Sequence, residues 1–209
     1  MVTDEEGADA VRLARDAIRE GLAHPERRDA AAAFRGRPLP TVFDEPRGVF
    51  VTLRRHPSNS LRGCIGFPVP VYPLRAAIPR AAFAAAVDDP RFPTVTLPEL
   101  AELTVEVSLL TVPEVITADP RRELPGQIVV GRDGLIVDRA GSSGLLLPQV
   151  AVEYDWSPVE FLAETCGKAG LGPDAWLRPG TTVRRFRAQL FEETSPDGPV
   201  RPVPLAPRG

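Results

Sequence analysis

In the stretch from Thr104 to Thr111 apolar and polar side chains alternate as far as Leu109, Val105, Val107 and Leu109 on one side and Thr104, Glu106 and Ser108 on the other. A period of two sends successive side chains to opposite faces of a strand. The stretch therefore buries one face and obliges the chain to supply a second layer over it. Residues 47–55 repeat the pattern, with Val49, Val51 and Leu53 set against Phe50 and Thr52. His56-Pro57-Ser58-Asn59 ends that strand, and residues 60–65 return as the second arm of a hairpin.

Helical periods supply the second layer. Thr3 followed by Glu6 is a capping-box pattern, and Val11, Ala14, Ile18 and Leu22 recur at helical spacing, so a helix is expected over residues 4–20. Pro73 stands where a first helical turn tolerates proline, ahead of the stripe Leu74, Ile78, Ala81, Ala82 and Ala85. Pro79 marks a kink or a later start in that helix. Ser157-Pro158-Val159-Glu160 opens a third helix that runs through Phe161, Leu162 and Cys166 towards Gly170.

Prolines punctuate the rest. Asp89 and Phe92 each precede one, which ends the second helix, and residues 97–103 read as a helical turn. A connection over residues 113–126 leads to a hairpin of residues 127–130 and 135–137 around Gly131-Arg132-Asp133-Gly134, then a strand at residues 145–147. Residues 181–191 form a last long strand, and residues 195–209 a loosely held, proline-rich tail. Residues 24–46, with an Ala-rich helical turn at residues 30–34, are expected to wrap the surface, with His24 solvated. Strands and about three main helices alternate irregularly, which defines an α+β class with a mixed, mostly antiparallel sheet.

Composition bounds the function. A chain of 209 residues, 43% hydrophobic and 25% charged, buries a core as one domain or as two joined lobes. A net charge of -3 gives no global positive field of the kind nucleic-acid binding relies on. Two cysteines make no disulfide framework, and the acidic start Met1-Val2-Thr3-Asp4-Glu5-Glu6 has no apolar leader segment. The apolar run at residues 76–87 is broken by Pro79 and Arg80, so a cytoplasmic chain without a membrane span is expected.

Chemistry concentrates in Leu61-Arg62-Gly63-Cys64-Ile65-Gly66, which puts an arginine, two glycines and a cysteine into six residues leaving a strand. Further segments join it: Gly48-Val49-Phe50-Val51-Thr52-Leu53, Asp89-Pro90-Arg91-Phe92-Pro93, Glu106-Val107-Ser108, and residues 144–151, Gly-Leu-Leu-Leu-Pro-Gln-Val-Ala. Glu160-Phe161-Leu162 and Lys168-Ala169-Gly170-Leu171 complete the series. In order and spacing they resemble the AMMECR-domain family over residues 10–193. The resemblance implies one domain over residues 1–194 with a larger and a smaller lobe and a cleft where the motifs gather. It implies no reaction. Similar prokaryotic members are associated with a Memo-like protein and a radical SAM enzyme, which suggests one part of a modification system. The exit after Gly66, Phe67-Pro68-Val69-Pro70-Val71, departs from the family pattern by being bulkier and richer in proline.

Cys64 is the candidate nucleophile, with Arg62, two residues away on a strand, able to face it. Arginine cannot serve as a base, and His56 at the far end of the hairpin is out of reach, so Asp89, Glu106 and Glu153 are the carboxylates left as partners, with Glu106 and Glu153 assigned to catalysis. A buried structural cysteine is the plainer reading of Cys64, as it is of Cys166. For ligand binding, Arg62, Asp89, Arg91 and Phe92 form a polar cluster suited to a small anion, with Gly63 and Gly66 exposing backbone beside it and Gln149 joining from the later motif. Two scattered histidines and two distant cysteines offer no metal-ligand pair, so no cofactor or metal is assigned. Arg184, Arg185 and Arg187 around Phe186 leave RNA binding, or protein interaction, as a remaining alternative. A solvated strand face with Phe186 buried accounts for the same residues.

Overall fold

The structure, a computed structural model, describes residues 1–24 and 38–204. The helical turn expected at residues 30–34 lies outside the described residues, as does the end of the tail from residue 205. Among the described residues the chain divides into two compact units, Met1–Leu110 with Gln189–Val203, and Thr111–Ala188. The second is an insertion in the sequence of the first. Among the described residues the class is α+β, as the pattern of periods predicts.

In the first unit, β1 (Val49–Arg55) pairs antiparallel with β2 (Ser60–Phe67) on one side and with β3 (Leu103–Leu110) on the other. Two helices cover this sheet, α1 (Asp4–Ala23) and α2 (Leu74–Val87). Helix α1 starts at the expected capping box: Thr3 N–H donates to Glu6 Oε2 at 2.7 Å, and Glu6 N–H to Thr3 Oγ1 at 3.2 Å. Its stripe of Ala10, Val11, Ala14, Ala17 and Ile18 is fully buried against Val49, Val51, Leu53, Val105 and Val107, the inward residues of the alternation. Helix α2 runs through Pro79 without ending there, with Pro73 at its N-cap. Pro79 is the sixth residue of the helix, is buried, and has no N–H for the carbonyl one turn before it. Helix α3 (Leu97–Leu100) is shorter than expected and is capped by Thr96.

In the second unit, β4 (Glu114–Ile116) and β5 (Asp133–Arg139) pair with the first part of β7 (Thr182–Glu193), and β6 (Ser142–Leu146) pairs with β5. The hairpin therefore joins β5 to β6. Residues 127–130 are not its arm, because a 3-10 helix at Arg121–Gln127 and the bonds of Asp133 to Val129 occupy that stretch. Helices α4 (Pro148–Glu153) and α5 (Pro158–Lys168) complete a core around Leu135, Val137, Phe161, Leu162, Cys166 and Trp176.

Strand β7 then continues in the first unit, where Leu190–Glu193 pair with β8 (Val200–Val203). The proline-rich segment expected to be loose thus holds a strand. Pro202 fits because β8 follows β3 and β7 as a short added strand that needs few ladder donors of its own. Among the described residues no helix is long and apolar enough to cross a membrane.

Candidate functional site

Strand β2 ends the sheet of the first unit, so its outer side carries unpaired backbone groups unless something covers them. The sequence covers it in two ways. Gly63 lies against α2: a Cβ built there would sit 2.2 Å from the Ala85 carbonyl oxygen, so only glycine lets this small-residue helix come so close. Opposite Arg54 the register slips, Leu53 facing Gly63 but Arg54 facing Leu61, which leaves Arg62 as the extra residue of a bulge.

Freed from the ladder, Arg62 is only 3% exposed and is held by the next two segments. Its Nε and Nη2 donate to Glu99 at 2.7 and 3.0 Å, Nη2 also donates to the Pro93 carbonyl at 2.8 Å, and the guanidinium stands 5.8 Å from the Phe92 ring centre. Glu99, at the start of α3, also accepts from Arg55 at 2.8 Å, and the Arg62 guanidinium beside it holds its carboxyl below the usual range. Arg62 is therefore engaged internally through Nε and Nη2 and pins the Asp89-to-Pro93 segment to β2.

Asp89 closes the same joint from the other side. One carboxylate oxygen accepts the Cys64 N–H at 2.8 Å, so an edge-strand donor is met by a side chain. Arg91 grips both oxygens, Nε at 2.9 Å and Nη2 at 2.7 Å, while its own N–H donates at 3.1 Å. Asp89 is buried, and the Arg91 guanidinium keeps its carboxyl well below the usual carboxylate range. Arg91 itself stays half exposed, 5.5 Å from the Phe92 ring centre. It is also the cation whose charge reaches the Cys64 thiol.

Cys64 projects beside Thr52, its direct partner on β1, and Thr52 in turn faces Glu106 on β3. Three neighbouring strands thus line up a thiol, a hydroxyl and a carboxylate. Thr52 Oγ1 donates to Cys64 Sγ at 3.4 Å. Arg54 Nε is 3.6 Å from Glu106 Oε2. Thr52 and Glu106 are buried and Cys64 is partly exposed. Burial pushes both the Cys64 thiol and the Glu106 carboxyl up, so the thiol rests protonated at neutral pH.

Gly66 faces Phe50 and the Val49 carbonyl, where a Cβ would lie 2.3 Å from that oxygen. Gln149 and Glu153 belong to the second unit, four apart on α4, with Glu153 exposed and the Gln149 side-chain oxygen buried without a hydrogen-bond partner. Arg184, Arg185 and Arg187 each meet a carboxylate, Asp138, Glu114 and Asp133, and Phe186 is buried. Cys166 is buried in the second core. Among the described residues no cluster of His, Cys, Asp and Glu could hold a metal ion. Two members of the arrangement, Thr52 and Glu99, are not singled out by sequence reasoning. The outward place of Thr52 on β1 and the Thr96-to-Glu99 capping pattern were the signals that could have found them.

A fold of this class, with the Leu61-to-Gly66 and Asp89-to-Pro93 segments joined at a sheet edge, has counterparts among known proteins. A family model described as AMMECR1 matches residues 11–191. The chain is 54% identical to Protein TK0174 of Thermococcus kodakarensis over 207 residues, 98% of either chain. It is 47% identical to Protein MK0488 of Methanopyrus kandleri over 206 residues, 98% of this chain and 97% of the other. The crystal structure of the uncharacterized protein PH0010 from Pyrococcus horikoshii matches with a TM-score of 0.86 at 52% identity, covering 97% of this chain and 98% of that one. The chain belongs to the AMMECR1 family.

Proposed function

We propose that this chain is the binding component of a modification system and that it works through the edge of β2, where Cys64, Arg91 and Phe92 stand together. The observation that carries this reading is the double tie between the two motif segments, Cys64 N–H to Asp89 and Arg62 to the Pro93 carbonyl. Ties of this kind hold a site in one geometry before anything binds. They leave an exposed Arg91 and a half-buried Phe92 as the cationic and aromatic groups, suited to a small anionic ligand or to the acidic part of a partner. In this reading the partners are a Memo-like protein and a radical SAM enzyme.

Arg91→Gln and Phe92→Ala, both at positions with exposed side-chain surface, should weaken binding of the Memo-like protein from the same genome by about tenfold or more, as anchor truncations do. Calorimetric titration of each variant reads the change. Unchanged affinity in both would remove the edge of β2 from consideration. A second reading, a thiol enzyme using Cys64, is favoured by one specific feature, the Cys64–Thr52–Glu106 row. RNA binding has no such support, since the arginines of β7 are matched by carboxylates.

A further inference from the structure

The second unit holds a cavity of about 420 Å³, within the range of small-molecule sites, about 300–1,000 Å³. Residues 128–130, Ile-Val-Val, line one part of it, and Ala151, Val152, Trp156 and Pro158 line most of the rest. These walls are aliphatic or aromatic. The one charged residue in the lining is Asp155.

The turn that carries Asp155 has no need of a charge. The Trp156 N–H donates to the Ala151 carbonyl at 2.9 Å and the Asp155 N–H to the Val152 carbonyl at 3.3 Å, which closes α4 as a Schellman motif. Asp155 fills its left-handed position, at a φ of 55°, where glycine is the usual occupant. Its side chain is exposed, and among the described residues no hydrogen bond or ion pair engages it. Trp156 follows, half-buried and stacked on Tyr154 with ring centres 5.0 Å apart and planes inclined at 16°. Aromatic faces attract cations. The carboxylate and the indole at this cavity therefore select the same ligand charge.

We propose that the cavity binds small organic cations, amines with a compact aromatic or branched aliphatic body. The body lies against residues 128–130, Val152 and Trp156, and the ammonium group meets the Asp155 carboxylate beside the indole. An anion finds no cationic side chain in the lining, and a neutral molecule of the same shape leaves the carboxylate unmatched. The site is independent of the β2 edge, which offers a cation to an anionic ligand where this cavity offers an anion to a cationic one.

The test compares three probes of one shape, 2-phenylethylamine, 2-phenylethanol and 3-phenylpropionate, added to the full chain at neutral pH. The chain has two tryptophans, so two-dimensional NMR shows two indole N–H signals, assigned with Trp156→Phe. Trp176, buried in the core, is the internal reference. The amine should move the Trp156 signal at about 10 mM or below, bind about fivefold more tightly than the alcohol, and leave the propionate weakest. Asp155→Asn keeps the shape of the side chain and removes its charge, so amine and alcohol should then bind alike. Asp155→Gly should do the same with a urea midpoint no lower than wild type, because a positive φ suits glycine, which separates loss of the ligand from loss of the fold. Equal binding of amine and alcohol by the wild type would make this a plain apolar groove, for a neutral ligand or an apolar segment of a partner, and would overturn the proposal. So would an unmoved Trp156 signal, or a preference for the amine that survives in Asp155→Asn.

Discussion

A carboxylate that accepts from the Cys64 N–H, from the Arg91 N–H and from two guanidinium nitrogens cannot be protonated without loosening all of those bonds. Asp89 is such a group, and the Arg91 guanidinium first, then the Cys64 and Arg91 N–H groups, hold its carboxyl below its ordinary value. A depressed folded value means that the contribution to stability is present above the unfolded pKa of about 3.9 and disappears as pH falls through the folded one. Urea midpoints should therefore drop as the pH is lowered below about 4. Asp89→Asn should flatten that decline and should cost about 1–3 kcal/mol at neutral pH, where it leaves buried donors short of an acceptor. Parallel curves for the two proteins would contradict this account. Cys64 and Glu106, raised by burial, act with the opposite sign: their share is present at low pH and is lost as pH rises through their folded values. Much of this was legible in the sequence, since the motif segments named Cys64, Asp89 and Arg91 together. What sequence could not show was which arginine serves the thiol. The bulge at Arg62 takes that guanidinium to Glu99, and Arg91 is left near sulfur.

At the scale of elements, the glycines of β2 behave as packing devices as much as exposed backbone. Gly63→Ala would drive a methyl into the Ala85 carbonyl, a backbone atom that cannot swing aside, so α2 or β2 must shift. The expected cost is about 1–3 kcal/mol, measured as a lowered denaturant midpoint. A wild-type midpoint in Gly63→Ala would show that α2 yields freely. The periods of two and of 3.6 found the strands and helices of the first unit because each has one buried face. They failed at residues 127–130, where short apolar stretches fit a strand, yet Asp133 turns back to bond Val129 and Arg132 instead. They failed again at β8, whose Pro202 argues against a strand until its place beside β7 is known.

The whole first unit closes on one ion pair. Arg15 on α1 and Glu193 on β7 are each about 3% exposed at the side chain, and Arg15 also donates to the Leu100 and Leu103 carbonyls while Glu193 accepts the Val105 N–H at 2.9 Å. Every charge and donor there is met. Arg15→Met leaves Glu193 buried without its cation and should cost about 3–5 kcal/mol. Arg15→Met combined with Glu193→Gln should recover part of that, and equilibrium unfolding of both variants measures it. A single variant within about 1 kcal/mol of wild type would mean that the carboxylate finds water instead. No periodicity reports such a pair, because Arg15 falls inside an apolar stripe where it reads as an interruption and its partner is 178 residues away.

That distance has a meaning on the ribosome. The first 110 residues emerge with a cationic side chain already committed to the inner face of α1, but the anion that neutralises it is translated only after the entire inserted unit. Until residue 193 clears the exit tunnel the amino-terminal segment holds an uncompensated charge in what will be its core, whereas residues 111–188 are all translated before that anion. Order of synthesis thus makes the locking of the two ends of the first unit a late event, after the whole of residues 111–188 has been made.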